Sequence, residues 1–361
     1  MSGLYLGLMS GTSMDGIDAV LTTADAASVL GHIHHPFSPA LRETLMALNE
    51  PGTGELHRAA QAANALATGY AAAIRALLAK TGKLPAEITA SGCHGQTVRH
   101  RPDAGYSLQL LNGSLLAELT GITVVCDFRN RDIAAGGEGA PLVPAFHHAA
   151  FAHPRRSRAV INIGGMANIT CLPAGGDASG FDCGPGNALL DGWIRETLGR
   201  DYDAGGRWAA TGNLLPELLE RLLAHEFFER PPPKSTGRET FNLKWVRDAL
   251  PAQAAPADVQ ATLCELTAAS IVRALDTHCA DATEVLLCGG GARNDFLRTR
   301  ISALSPQRQF MLTDELGIDA NAVEAAAFAW LAARTLSRQP GNLPRVTGAS
   351  GPRVLGAIYP A

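Results

Sequence analysis

The chain has 361 residues, 46% hydrophobic and 18% charged, and 30 Lys+Arg against 34 Asp+Glu leave a formal net charge of −4. That length can bury a sizeable core in one large or two smaller domains without disulfide or metal staples. The balanced charge, with no basic block, argues against a nucleic-acid partner, and no run approaches the ~20 apolar residues of a membrane span. No basic-then-apolar leader is seen at the N-terminus. The seven scattered cysteines contain no CxxC pair and read as reduced, buried thiols of a cytoplasmic protein.

Residues 3–9 read as a strand, followed by a glycine turn and a second strand over 17–24; "SVLGHIHHPF" reads as a third. Short turns between them predict an antiparallel start to a sheet. The Ala- and Leu-rich stretch 55–80 has apolar spacings of three and four, a long amphipathic helix stopped by Gly82. "EITASGCHG" and "ITVVCDF" are further strands, and the Gly- and Pro-rich 129–144 reads as a connection and candidate hinge. "RAVINIGGMANITCL" (158–172) repeats the opening pattern of strand, glycine turn and strand ~150 residues later, about one domain length. Helices are predicted over 187–199, 257–280 and 321–337, a strand–glycine–helix unit over 283–302, and a loop-rich tail with one short strand. The repeat predicts two similar halves facing across a cleft.

Several stretches carry chemistry. In "LGLMSGTSMDGID", the turn from Gly7 to Gly16 offers backbone N–H groups and the hydroxyls of Ser10, Thr12 and Ser13 to an anion such as a nucleotide's phosphates. Asp15 and Asp18 suit a Mg²⁺ ion between them, directly or through water. No GxxxxGK[ST] motif occurs, and a plain polar hairpin turn is the alternative. "CGGGARND" places three glycines between a strand and a helix, where backbone can meet a flat or anionic ligand. Asp182, in "GFDCGPGN", ends an apolar run before a Gly-Pro-Gly turn; it is a candidate general base or else an Asx turn or helix cap. "SGCHGQTVRHRP" holds His94, Gln96, Thr97 and Arg99, and "CDFRNRD" holds Asp127, Arg129, Asn130 and Arg131. Both follow strands. Arg131 is the first choice for a substrate carboxylate, through its two-pronged guanidinium. "HIHHP" and "HHAAFAH" lack structural-zinc spacing and read as solvated or packing histidines. Glu324 opens a helix of small residues, either reaching a cleft or facing solvent.

Taken together, "GLMSGTSMDGID", "HGQT", "DFRNRDIAAGGEGAPLVP", "NIGGMANIT", "FDCGPGN", "GGGARN" and "NAVEAAAFAWLA" resemble, in order and over nearly the whole chain, the 1,6-anhydro-N-acetylmuramic acid kinase family. Residues 200–255 match less distinctively and are not assigned. The resemblance implies an α/β fold of the sugar kinase/actin/Hsp70-like superfamily: two duplicated actin-like ATPase (ribonuclease H-like) domains flanking a nucleotide cleft, here 1–130 plus 320–361 and 131–319. It implies a kinase using ATP and Mg²⁺, in which water opens the anhydro sugar while its 6-oxygen takes the γ-phosphoryl group, in cell-wall recycling.

Carried over residue by residue, Asp182 matches the base. Gly11, Thr12, Ser13, Met14, Asp15, Gly16, Ile17, Asp18, Gly164, Gly165, Asn168, Gly289, Gly290 and Gly291 match nucleotide contacts. Thr97, Asn130, Arg131, Gly184, Asn187 and Glu324 match substrate contacts, with Asp15 and Asp18 on the metal side. No nucleic acid or membrane partner is implied, and a homodimer stays open. Two rivals stand beside this reading. One is a sugar kinase whose base deprotonates a free hydroxyl; the other is a non-catalytic actin-like assembly or ATP-sensing protein.

Overall fold

In the computed structural model, which describes residues 3–11, 14–26 and 28–361, the chain opens on β1 (Leu4–Met9), β2 (Gly16–Thr23) and β3 (Val29–Pro36), paired antiparallel in sequence order. Ser38 caps α1 (Pro39–Ala47) by accepting the Leu41 N–H. In α2 (Glu55–Thr81), Leu66, Tyr70, Ile74 and Leu77 recur at helical spacing and are almost wholly buried, so this face supplies much of the first core. Gly82, at φ +65°, stops the helix in a left-handed cap. By length and hydropathy α2 could cross a bilayer, although no long apolar run marks it in the sequence; half of its most apolar window is buried within the protein.

The helix crossover returns the chain to β4 (Ile88–Cys93), parallel to β1. The polar stretch beyond it forms a two-stranded hairpin, β5 (Gln96–Arg101) and β6 (Tyr106–Leu110), then α3 (Gly113–Thr120) and β7 (Val124–Cys126) follow. The stretch 129–144, expected to be a connection and hinge, instead contains α4 (Asn130–Ile133) and the start of α5 (Val143–Phe151). It is pinned by Asp132, a fully buried carboxylate that accepts from Asn342 Nδ2 at 2.6 Å, Thr347 Oγ1 at 2.8 Å and Gly139 N at 2.8 Å. Three donors compensate the burial of that charge.

The remaining strands and helices are β8 (Arg158–Ile163), β9 (Met166–Leu172), β10 (Ser179–Pro185), α6 (Asn187–Leu198), α7 (Pro216–Leu223), α8 (Leu243–Ala249), α9 (Pro256–His278), β11 (Glu284–Cys288), α10 (Asp295–Leu304) and β12 (Gln309–Leu312), before α11 (Val323–Leu336), α12 (Pro344–Thr347) and β13 (Ala357–Tyr359). Contacts divide the chain into two units, Met1–Ala150 with Gly317–Ala361, and Phe151–Leu316. The first sheet runs β13-β7-β4-β1-β2-β3 and the second β10-β9-β8-β11-β12. Within each, the first strand pairs antiparallel with the second and parallel with the fourth, and the third pairs antiparallel outside the second. One ribonuclease H-like topology is thus built twice. Strands β8 and β11 are buried at every residue, as central strands covered on both faces are.

Two further expectations change. Gly7, read as the start of a phosphate turn, lies within β1 opposite Gly92 of β4. A Cβ on either would sit 1.9 Å from the carbonyl oxygens of Ala325 and Phe328, so both glycines let α11 lie close on the sheet. The cysteines are not all thiols either: Cys171 of β9 and Cys279, just beyond α9, form a disulfide with a Cα separation of 5.6 Å, while the other five are buried thiols outside any disulfide. The two lie 108 residues apart, so only the packing of α9 against the sheet brings them together.

Candidate active site

Asp182 lies on β10, an edge strand of the second sheet, directly opposite Asn168 of β9, which is opposite Asn162 of β8. Directly opposed residues share a face, so Asn162, Asn168 and Asp182 form a polar row across three strands. The pairing shifts register between Asp182 and Gly184, a bulge that bends the strand just after the carboxylate. On the outer edge, the Asp182 N–H donates to the Lys234 carbonyl at 3.1 Å, and the Thr236 N–H donates to Asp182 Oδ2 at 2.9 Å. Oδ1 takes no hydrogen bond among the described residues. Burial pushes the Asp182 carboxyl up to about 6; the Thr236 N–H pulls it down, and Glu239 adds to the rise. The Asx-turn and cap alternatives are not adopted, because the residue capping α6 is Gly186 and the donor to Asp182 is 54 positions further on.

The second unit gathers its glycine turns around the ends of β8 and β11. The Gly164 carbonyl accepts from Asn187 N at 2.8 Å, and the Gly165 carbonyl accepts from Gly186 N and Ala188 N. The first amides of α6 are therefore occupied by the hairpin tip. Asn187 Nδ2 also donates to the Ile163 carbonyl at 3.2 Å. Gly289 adopts φ +80°, and a Cβ there would sit 2.4 Å from Asn162 Oδ1; a Cβ on Gly291 would sit 2.9 Å from Asn187 Oδ1. Gly290 is exposed, with its backbone open to a ligand. Gly184 instead packs inward, where a Cβ would meet the Phe228 ring at 2.7 Å.

In the first unit, Thr12 and Ser13 lie outside the described residues. The Ser10 hydroxyl does not face a ligand: it is buried, donates to the Gly95 carbonyl at 2.8 Å and lies 3.0 Å from the Tyr70 hydroxyl. Gln96 Nε2 donates to the Gly11 carbonyl at 3.1 Å, and the Met14 N–H donates to the same oxygen. Met14 and Ile17 point into the core, and a Cβ on Gly16 would sit 2.5 Å from the His35 carbonyl. His94 Nδ1–H donates to the Ser10 carbonyl at 3.1 Å, while Arg129 Nη2 donates to His94 Nε2 at 2.9 Å. Burial and the Arg129 charge lower His94 to about 3, so the ring is neutral and can accept from the guanidinium. Burial also lowers Arg129, to about 10, against the charges of Glu324 and Asp132. Glu324, in the first turn of α11, thus lies in the field of a buried guanidinium.

Asp18 does not stand open beside Asp15. Its Oδ1 lies 3.0 Å from His34 Nδ1 and 3.3 Å from His32 Nε2, both on β3. Burial would raise this carboxyl, but the two histidines outweigh that and hold it below its usual value. His34 is raised, chiefly by its hydrogen bond to Asp18, with Asp15 contributing. No group of three or more His, Cys, Asp or Glu side chains among the described residues could hold a metal. Asp18 Oδ2 takes no hydrogen bond there, which fits Mg²⁺ that keeps its own water and phosphate shell rather than entering a protein cage.

The predicted substrate contacts divide. Thr97 Oγ1 accepts from Gln109 at 3.1 Å, and Asn130 is committed to the fold, with its amide bonding Ser107 N, Ser107 O and Asp127 Oδ1. Arg99 pairs with Glu55. Arg131 is exposed and makes no hydrogen bond or ion pair among the described residues, so its guanidinium is available. Sequence reasoning did not assign Lys234 and Thr236. The small polar run "KSTG" between "PPP" and "RETFN" was the one signal for them.

Residues 3–361 match the family model described as anhydro-N-acetylmuramic acid kinase. A protein of that name from Nitrosospira multiformis is 56% identical over 361 residues, and one from Nitrosomonas europaea is 55% identical; each alignment covers 99% of both chains. Among solved structures, the activator of the 2-hydroxyisocaproyl-CoA dehydratase from Clostridium difficile with bound ADPNP superposes with a TM-score of 0.48 at 14% identity, over 92% of this chain and 96% of that one.

Proposed function

This chain belongs to the anhydro-N-acetylmuramic acid kinase family, and on that premise we propose that it opens 1,6-anhydro-N-acetylmuramic acid with water and phosphorylates the freed 6-oxygen from ATP, giving N-acetylmuramic acid 6-phosphate in cell-wall recycling. The observation that carries the mechanism is Asp182, a carboxylate anchored through one oxygen by the Thr236 N–H, with its other oxygen taking no hydrogen bond among the described residues. A carboxyl near 6 is mostly ionised at neutral pH, yet basic enough to accept a proton in the transition state. Water attacks the anomeric carbon and gives its proton to Asp182. The anomeric carbon–oxygen bond breaks, and the departing 6-oxygen takes the γ-phosphoryl group as ADP leaves. Ring strain in the bicyclic acetal favours the opening, and phosphoryl transfer rests mainly on positioning and charge neutralisation.

Arg131 is assigned to the lactyl carboxylate, and Thr97 and Glu324 to the sugar; Asn130 acts by holding the neighbouring hairpin. Gly164, Gly165, Asn168 and residues 289–291 in the second unit, and residues 11–18 in the first, are the nucleotide candidates, with Asn187 kept on the substrate side. Mg²⁺ would neutralise phosphate charge, with Asp15 and Asp18 holding its waters. The proposal includes a cytoplasmic location, where ATP is supplied. A product assay in ¹⁸O-water tests the reaction: label is expected at the anomeric oxygen and not in the transferred phosphate. Phosphorylated product with an unlabelled anomeric oxygen overturns hydrolytic opening.

A further inference from the structure

We propose that Lys234 is a positioning residue for Asp182: its ammonium pins the 234–236 turn, whose backbone holds the Asp182 amide and carboxylate. The inference rests on the reading of Asp182 as the base. Lys234 is only 9% exposed and forms no ion pair among the described residues. Its Nζ donates to the carbonyls of Phe227 at 3.1 Å and Phe228 at 3.4 Å, and lies 4.8 Å from the centre of the Phe227 ring and 5.8 Å from that of Phe181. A buried ammonium without a carboxylate is costly, and an apolar side chain would fill the same space more favourably. What the charge achieves here is a connection between three segments around Asp182.

Phe181 precedes Asp182 on β10. Phe228 packs on Gly184, just past the bulge. The Lys234 carbonyl accepts the Asp182 N–H, and two residues later the Thr236 N–H donates to Asp182 Oδ2. As β10 is an edge strand, the 234–236 turn takes the place of a neighbouring strand at the one residue whose carboxylate must be aimed. His225, Phe227, Phe228 and Trp245 pack edge-on or tilted around Phe241, and the Lys234 ammonium lies over the Phe227 ring of this cluster.

The groups facing this arrangement are Glu239 and Cys183 toward Asp182, and Cys183, Arg230, Arg273, Glu229 and His278 toward Lys234. The Thr236 N–H favours the ionised carboxylate, so loosening the turn raises the carboxyl and moves the acidic limb of the kcat/KM profile to higher pH.

The test compares wild type, Lys234→Met, Asp182→Asn and the double variant by full pH profiles, ATP KM and thermal melting. Lys234→Met is expected to lower kcat about 10- to 100-fold, move the acidic limb upward and leave ATP KM little changed. Adding it to Asp182→Asn should cost almost nothing more, because both act through one carboxylate. An inactive Asp182→Asn beside a folded Lys234→Met with normal kcat and an unmoved limb overturns the positioning role and leaves the base in place. So does an additive double variant. An active Asp182→Asn overturns the base reading itself. If Lys234→Met does not fold, Lys234→Arg decides: it keeps the charge but not the single-point geometry, and an unmoved acidic limb in a stable Lys234→Arg overturns the proposal.

Discussion

Each unit carries a carboxylate in a cross-strand row of its antiparallel strands, Asp18 on β2 and Asp182 on β10, and the two are surrounded differently. In the first, Met9, Asp18 and His34 face one another across β1, β2 and β3; in the second, Asn162, Asn168 and Asp182 do so across β8, β9 and β10. Asp18 meets two imidazoles and is held below its ordinary value, whereas Asp182 meets an amide and one backbone N–H and rises to about 6. Both carboxylates experience burial. The surroundings decide whether burial is overcome, so one is held as an anion and the other keeps the raised proton affinity that its proposed role as base uses.

The largest expected effect breaks the comparison at its active end. Asp182→Asn keeps the shape but cannot accept a proton, and kcat should fall at least ~10²-fold with nucleotide affinity little changed; steady-state kinetics retaining most turnover would remove Asp182 from the chemistry. In wild type the acidic limb of kcat/KM should lie near pH 6, since activity needs the ionised form.

A second contrast is covalent, because the disulfide lies in the second unit. Cys171→Ser should destabilise that unit by about 2–4 kcal/mol in protein prepared without reductant. Thiol titration of the unfolded chain distinguishes five free thiols from seven; seven would mean that no bridge forms.

Third, Arg131→Lys keeps charge but loses the two-pronged geometry. A lost charge-assisted hydrogen bond of ~1.5–3 kcal/mol corresponds to about 10–150-fold in kcat/KM on the lactyl-bearing sugar. Anhydro-N-acetylglucosamine should be a poor substrate for both enzymes and nearly indifferent to the change; equal penalties on the two sugars would show that Arg131 does not read the acid.

The smallest effect concerns the paired end. Asp18 is lowered, so its contribution to stability is present above 3.8 and lost as pH falls through the folded value. His34 is raised, so its contribution is complete below 6.5 and lost as pH climbs through the folded value. The pair therefore supports the fold most between those limits. The His34 side chain is 43% exposed and screened by solvent, so His34→Gln should cost no more than ~1 kcal/mol at pH 5.5 and nothing at pH 9 by urea melts. An equal cost at both pH values would assign the effect to packing.

Local pattern was enough to place the hairpin at the start of each unit, the stop of α2 at Gly82, and the strand–glycine–helix unit around Gly289, because periodicity and left-handed caps are properties of neighbouring residues. The motifs likewise singled out Asp182 and Arg131 as residue types suited to the chemistry. The tertiary structure alone decided what surrounds them. Gly7 turned out to be a packing surface because α11 comes from more than 300 positions away to lie on it. Asp18 acquired its histidines from β3, and Cys171 its partner from beyond α9. Asp182 acquired the Thr236 N–H from a turn 54 residues on. A carboxylate's proton affinity depends on desolvation and on partners within a few ångströms. The fold sets both through contacts between residues distant in sequence, which no local spacing encodes.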